Sequence, residues 1–319
     1  MPMEEFLQKM TGNQSLINIL TQHFFRGTPT YFALGYFYVY MDYFYPKGGT
    51  GALKDALTEK VLQCGGKFEL NRQVTRVIPA ESKVIDSDGN EFYYDQLIWA
   101  ADLKTFYRSV DPAGLEPKIS CNLESEKQRV LSAKGAESVF ILNLGVNRPP
   151  EFFREHGGEH LFFTPSRQGL GEINNSMRIR LVENFDQMDK NEVIDWLESY
   201  CDFNTYEISI PVLRDNTLAP EGQTGVMVSC LFDYRVIKNV ENAGWYDEFK
   251  DRVEKRIVSN LSKTIFKDLE KDILFKFSST PITINKIFES SEDAITGWSF
   301  ETEPPVIYKL TDVGKSVFT

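Results

Sequence analysis

Tyr45-Pro-Lys-Gly-Gly-Thr-Gly-Ala-Leu53 opens the stretch that organises this 319-residue chain. Glycines at 48, 49 and 51 suit a tight turn. Ala52, Leu53, Ala56, Leu57, Val61 and Leu62 then recur at helical spacing until Gly65-Gly66 ends the run. Beyond it come short β-type runs at 67–70, 73–78 and 83–86. Asp88-Gly89 is a hairpin-turn dipeptide, and β-favouring residues resume at 91–94 and 96–100. The unit closes on Leu97-Ile-Trp-Ala-Ala-Asp102, whose lack of polar residues before Asp102 predicts a strand buried on both faces of a parallel sheet.

Upstream, apolar residues from Phe6 to Phe24 fall at spacings that suit amphipathic helices. Between them and the turn lies Tyr31-Phe-Ala-Leu-Gly-Tyr-Phe-Tyr-Val-Tyr-Met-Asp-Tyr-Phe-Tyr45, in which neither helical nor strand period is resolved. It reads either as buried core or as the wall of a tunnel for a long apolar ligand, with Tyr31, Tyr36, Tyr40, Tyr43 and Tyr45 as lining. Downstream, β-type runs are expected at 138–146, 160–164, 177–182, 206–212 and 225–232, paired mainly antiparallel. Helices are expected around 193–201 and 245–265, and Thr280-Pro281 has the form of a helix N-cap followed by proline. The fold class is therefore α+β, with α/β character around the glycine turn.

Composition limits the function. Thirty-five basic against 46 acidic residues give a net charge of −11 and a pI near 5.0, which argues against a nucleic-acid footprint. Four cysteines without a CxxC pair suit a reducing compartment, and no signal peptide or spanning segment is read, so a cytoplasmic protein is expected. Three histidines, two of them at 156 and 160 around a Gly-Gly pair, supply no metal site. Neither a GxSxG elbow nor a partnered cysteine is present, and no catalytic acid or base is named. Neither Gly49-Thr-Gly51 nor Gly169-Leu-Gly171 completes a GxGxxG, although the first stands at a helix start, where free amides can meet an electronegative ligand edge.

The order of these segments resembles that in the FAD-dependent phytoene desaturase-like oxidoreductases, the group of carotenoid desaturases, carotenoid isomerases and retinol saturases. The likeness rests on Tyr45–Leu53 with Gly65-Gly66, Val74-Thr-Arg-Val-Ile78, Leu97–Asp102, Asp215-Asn-Thr-Leu-Ala-Pro-Glu-Gly222 and Ala294-Ile-Thr-Gly-Trp-Ser299. It implies that Gly48, Gly49, Val74, Ala101 and Asp102 lie near FAD, and that the ligand is an apolar polyene. It also implies an interior portion of such an enzyme, without the N-terminal GxGxxG and a later flavin segment, that does not retain FAD alone. The implied division is 1–45 helical and aromatic, 46–110 flavin-domain middle, 111–288 substrate domain and 289–319 a return toward the flavin domain. Peripheral membrane contact is compatible with this. The alternatives are a non-enzymatic lipid-binding module and an amine-oxidase-like flavoenzyme.

Overall fold

The computed structural model describes residues 1–41, 44–171, 173–291, 294–295 and 297–300, with the side chains of 173–176 left aside. Its largest sheet has five strands in the order β5 (His160–Phe163), β6 (Tyr206–Ser209), β7 (Thr224–Phe232), β4 (Ser138–Val146) and β8 (Ile273–Ser279), every neighbouring pair antiparallel. Strict alternation explains why it forms. Phe140, Leu142, Leu144 and Val146 on β4 and Val226, Val228, Cys230 and Phe232 on β7 all point to one face and are buried there.

Helices cover that face. Val193, Trp196, Leu197 and Cys201 of Lys190–Phe203 join Val236, Ile237 and Val240 of Tyr234–Asn242 in its core. Phe249, Val253, Ile257 and Leu261 of Tyr246–Lys263 complete it. Asp189 and Glu192 form a capping box on the first of these helices, Asp233 caps the second, and Thr280 with Pro281 starts a short helix to Phe288.

A second sheet is the meander β1 (Val74–Ile78), β2 (Lys83–Asp86) and β3 (Glu91–Tyr93). Asp86 anchors its turn by accepting from the Asp88 and Asn90 amides and from Arg72. Three N-terminal helices, Met3–Met10, Gln14–Thr21 and Thr30–Val39, share a small core of Met3, Leu7, Ile17, Phe24 and Ala33.

Four expectations are corrected. Residues 97–102 form no strand: Ile98 is 87% exposed, and Trp99 turns onto Phe106 of the helix Leu103–Ser109 that Asp102 caps. Residues 67–70 are also irregular. Residues 177–182 belong to the helix Ile173–Glu183, because Met177 and Leu181, one turn apart, both meet the core while Ile179 faces out. The aromatic run from Tyr31 is helical only to Val39, and it is neither wholly core nor an enclosed wall: Tyr31, Phe32, Tyr38 and Phe44 are exposed.

Candidate functional site

The glycine turn is built as its sequence demands. Gly48 and Gly49 both have φ of +86°, in the left-handed region, and the helix Gly51–Gln63 begins directly after them. The Gly48 amide donates to Asp215 Oδ2 at 2.6 Å, and Asp215 Oδ1 accepts from the Thr217 amide and hydroxyl. These bonds, with Gly48 first among them, hold the Asp215 carboxyl below its ordinary range. Two segments more than 160 positions apart are thus one structure. Among the described residues the Thr50 and Gly51 amides donate to nothing, and the helix start has no side-chain cap. A turn with glycine at 48, 49 and 51 that offers two amides fits the edge of a flat heteroaromatic ring such as a flavin.

Gly49 also packs toward the five-stranded sheet. A Cβ added there would lie 3.5 Å from Leu218, and Leu218, Ala219 and Pro220 form one rim of a depression of about 270 Å³ on the sheet's second face. Pairing register lays this face out in rows. One row reads Phe162, Glu207, Ser229, Ile141, Ser279; the next reads His160, Ser209, Met227, Asn143, Phe277; a third reads Gly225, Gly145, Phe275. Among the described residues no helix layer covers Met227, Phe275 and Phe277, which are 41%, 59% and 57% exposed. Gly145 leaves room for the Phe275 ring, which a Cβ would meet at 2.2 Å. The result is a shallow apolar floor beside the glycine turn.

At the opposite edge of this face stands a polar chain. Tyr40 donates to Glu207 Oε1 at 2.8 Å, Tyr36 and Tyr40 hydroxyls are 2.8 Å apart, and His23 Nε2 is 3.1 Å from the Tyr36 hydroxyl. His160 Nε2 lies 3.1 Å from the same Glu207 oxygen, and the Phe162 ring packs against His23, Tyr40 and His160. Burial pushes the Tyr36 hydroxyl up to about 12 and raises Tyr40 as well. Burial also disfavours the Glu207 carboxylate, but contacts from His160 and Tyr40 outweigh it and hold the carboxyl low. His23, largely desolvated, is shifted down, against the pull of Glu207.

Of the lining residues read from sequence, Tyr36 and Tyr40 enter this chain, Tyr31 faces solvent, Tyr45 lies beside Gly49, and Tyr43 lies outside the described residues. Val74 pairs with Asp86 at the start of β1, and Ala101 is exposed before the helix that follows. The Asp102 carboxylate is fully engaged: it accepts from the Thr105 amide and hydroxyl and from the Ser291 amide and hydroxyl. No hydrogen bond among the described residues joins the glycine turn to Val74, Ala101 or Asp102. The Gly-Trp turn pairs back on the chain, with the Ala136 amide donating to Gly297 and the Ser299 amide to Lys134. Sequence reading missed His23, His160 and Glu207. The available signal was the i, i+4 pair Tyr36 and Tyr40, together with one ionisable residue, His160 or Glu207, in each of two otherwise uncharged β-type runs.

Among the described residues no cysteine, histidine or carboxylate group is arranged to hold a metal ion, and none of their helices is long and apolar enough to cross a membrane. No family model matches the sequence. The chain is 24% identical over 268 residues to a phytoene desaturase (lycopene-forming) of Pseudescherichia vulneris, which covers 82% of this chain and 46% of the relative. It is 24% identical over 248 residues to the chloroplastic prolycopene isomerase of Arabidopsis thaliana, covering 75% and 34%. The chain thus spans between a third and about half the length of these curated relatives. Among solved structures it is similar to a Pyrococcus furiosus protein (TM-score 0.46, 13% identity, 88% of this chain and 57% of that one). It is also similar to a reduced UDP-galactopyranose mutase (TM-score 0.45, 16% identity, 74% and 40%).

Proposed function

We propose that this chain, similar in sequence to a phytoene desaturase and to prolycopene isomerases, forms the part of an FAD-dependent oxidoreductase of that kind that lays an apolar polyene beside the flavin. One observation carries the reading: the Gly48–Gly49 turn and the open apolar floor meet at the Asp215–Gly222 loop, which bonds the turn and rims the floor. In this reading residues 46–110 belong to the flavin domain and 111–288 to the substrate domain. Thr50 and Gly51 offer amides to the ring edge, and Val74, Ala101 and Asp102 approach the cofactor through backbone.

FAD, when bound, exchanges a hydride equivalent with carbon. This chain's own residues do the rest. Met227, Phe275 and Phe277 hold the hydrocarbon by apolar contact and keep water from it, and Leu218 fixes the distance between turn and floor.

The test is turnover of a conjugated polyene by the enzyme that contains this chain, supplied with FAD and followed through the visible bands. Gly49→Val, which puts a β-branched residue on a backbone at φ +86° beside Leu218, and Met227→Asp, which places a charge on the floor, should each abolish the change in those bands. Turnover that survives both substitutions contradicts the proposal. Saturable binding with no turnover in the unaltered enzyme points to a lipid-binding module instead.

A further inference from the structure

A cavity of about 760 Å³ lies on the helix-covered side of the sheet, between the N-terminal helices Met3–Met10 and Gln14–Thr21 and the end of β7. The apolar floor is on the other side: Phe232, which lines the cavity, and Met227, which belongs to the floor, fall on opposite faces of β7. Phe24, Leu170, Trp196 and Val236 add apolar wall, and the exposed Glu4 and Glu5 line the cavity toward solvent. Its size is that of a small-molecule site.

Arginines and carboxylates meet along one wall. Arg235 holds Asp233 with two bonds, Nε to Oδ1 at 3.1 Å and Nη2 to Oδ2 at 2.9 Å, and Arg26 Nε lies 2.9 Å from Glu137 Oε1. Both carboxylates thus have a close guanidinium partner. Arg178 has no such pair: only its Nη1 reaches Asp233, at 3.4 Å, and its Nε, shielded from water, has no hydrogen-bond partner among the described residues. A buried donor left unpaired is costly, and one on a cavity wall is a place for a ligand's acceptor. The Nε–Nη2 edge of a guanidinium carries two parallel N–H groups, spaced for the two oxygens of one carboxylate. A contact of 3.4 Å with a carboxylate that Arg235 already holds is readily given up, so a small rotation of Arg178 presents that edge to the cavity.

We propose that this cavity binds a small organic monocarboxylate with an apolar body, held through Arg178. The class follows from the walls. One guanidinium edge matches one carboxylate, and the aromatic residues take the body. Glu137 and Asp233, which also line the cavity, disfavour a dianion such as a phosphate monoester. No residue of the glycine turn or of the floor takes part, so the site is independent of the polyene reading.

The experiment titrates three probes calorimetrically into the 319-residue chain at neutral pH: naphthylacetate, the neutral naphthylethanol and naphthyl phosphate. Naphthylacetate should saturate near one equivalent and bind about tenfold more tightly than either of the others, as a charge-assisted pair of hydrogen bonds supplies. Arg178→Lys keeps the charge but not the fork, so it should remove most of that preference and leave the affinity for naphthylethanol unchanged. Equal affinity for naphthylacetate and naphthylethanol, tighter binding of naphthyl phosphate, or a preference that survives Arg178→Lys would overturn the inference. Should the variant not fold, the comparison of the three probes on the unaltered chain decides alone.

Discussion

Asp102 shows how one side chain ties distant segments together. Its carboxylate caps the Leu103–Ser109 helix through Thr105 and takes both donors of Ser291, 189 positions away. Burial works against the charged form, but these four donors win and keep the carboxyl below its ordinary 3.8. Because the folded value is depressed, the stability it contributes is present above the unfolded value and is lost as pH falls through the folded one. Asp102→Ala should cost about 1–2 kcal/mol in urea unfolding at neutral pH, and this cost should shrink as the pH falls below 3.8. A cost independent of pH would show that the carboxylate is not the source. Sequence alone identified the Ala101-Asp102 pair as a landmark but not this role, since its partner Ser291 is remote. The Tyr40–Glu207 bond spans 167 positions and was illegible for the same reason.

Among elements, alternation was the dependable signal. Residues 138–146 and 224–232 alternate between a helix-covered core and an open face, and both form strands as their pattern requires. Met177-Arg-Ile-Arg-Leu-Val182 alternates too, yet core contacts one helical turn apart decide its form. Leu97–Ala101 has the composition of a buried strand without strand partners among the described residues, so composition alone misled. The Gly51–Gln63 helix was legible in its bounds, but its apolar residues are not covered: Leu53, Leu57 and Leu62 are exposed and nothing in the helix is buried. A 13-residue helix without tertiary packing is marginal in water. Its amides should exchange with deuterium near the unprotected rate, while those of β4 and β7 should be the slowest in the chain. Protection of the helix comparable to the strands would mean that it has a packing partner in solution.

At the scale of the whole molecule, the sheet divides the protein into a buried half and an open one. Helices close one face over a core from Phe140 to Leu261, and the other presents Met227, Phe275 and Phe277 between the glycine turn and the Glu207 chain. The net charge of −11 leaves this apolar face as the feature to explain, since exposed apolar patches mark ligand or partner sites. Composition indicated an aromatic protein without metal or nucleophile chemistry, whereas the place where its apolar surface lies open depends on strand order. The most direct measurement is induced circular dichroism in the visible band of a bound conjugated polyene, an achiral chromophore that acquires a signal only when held in one asymmetric setting. The account predicts a signal that saturates near one equivalent. It should be lost in Gly145→Ala, whose methyl group displaces the Phe275 ring from the floor while the buried core stays intact. No induced signal in the unaltered protein, or one that Gly145→Ala leaves unchanged, would contradict it.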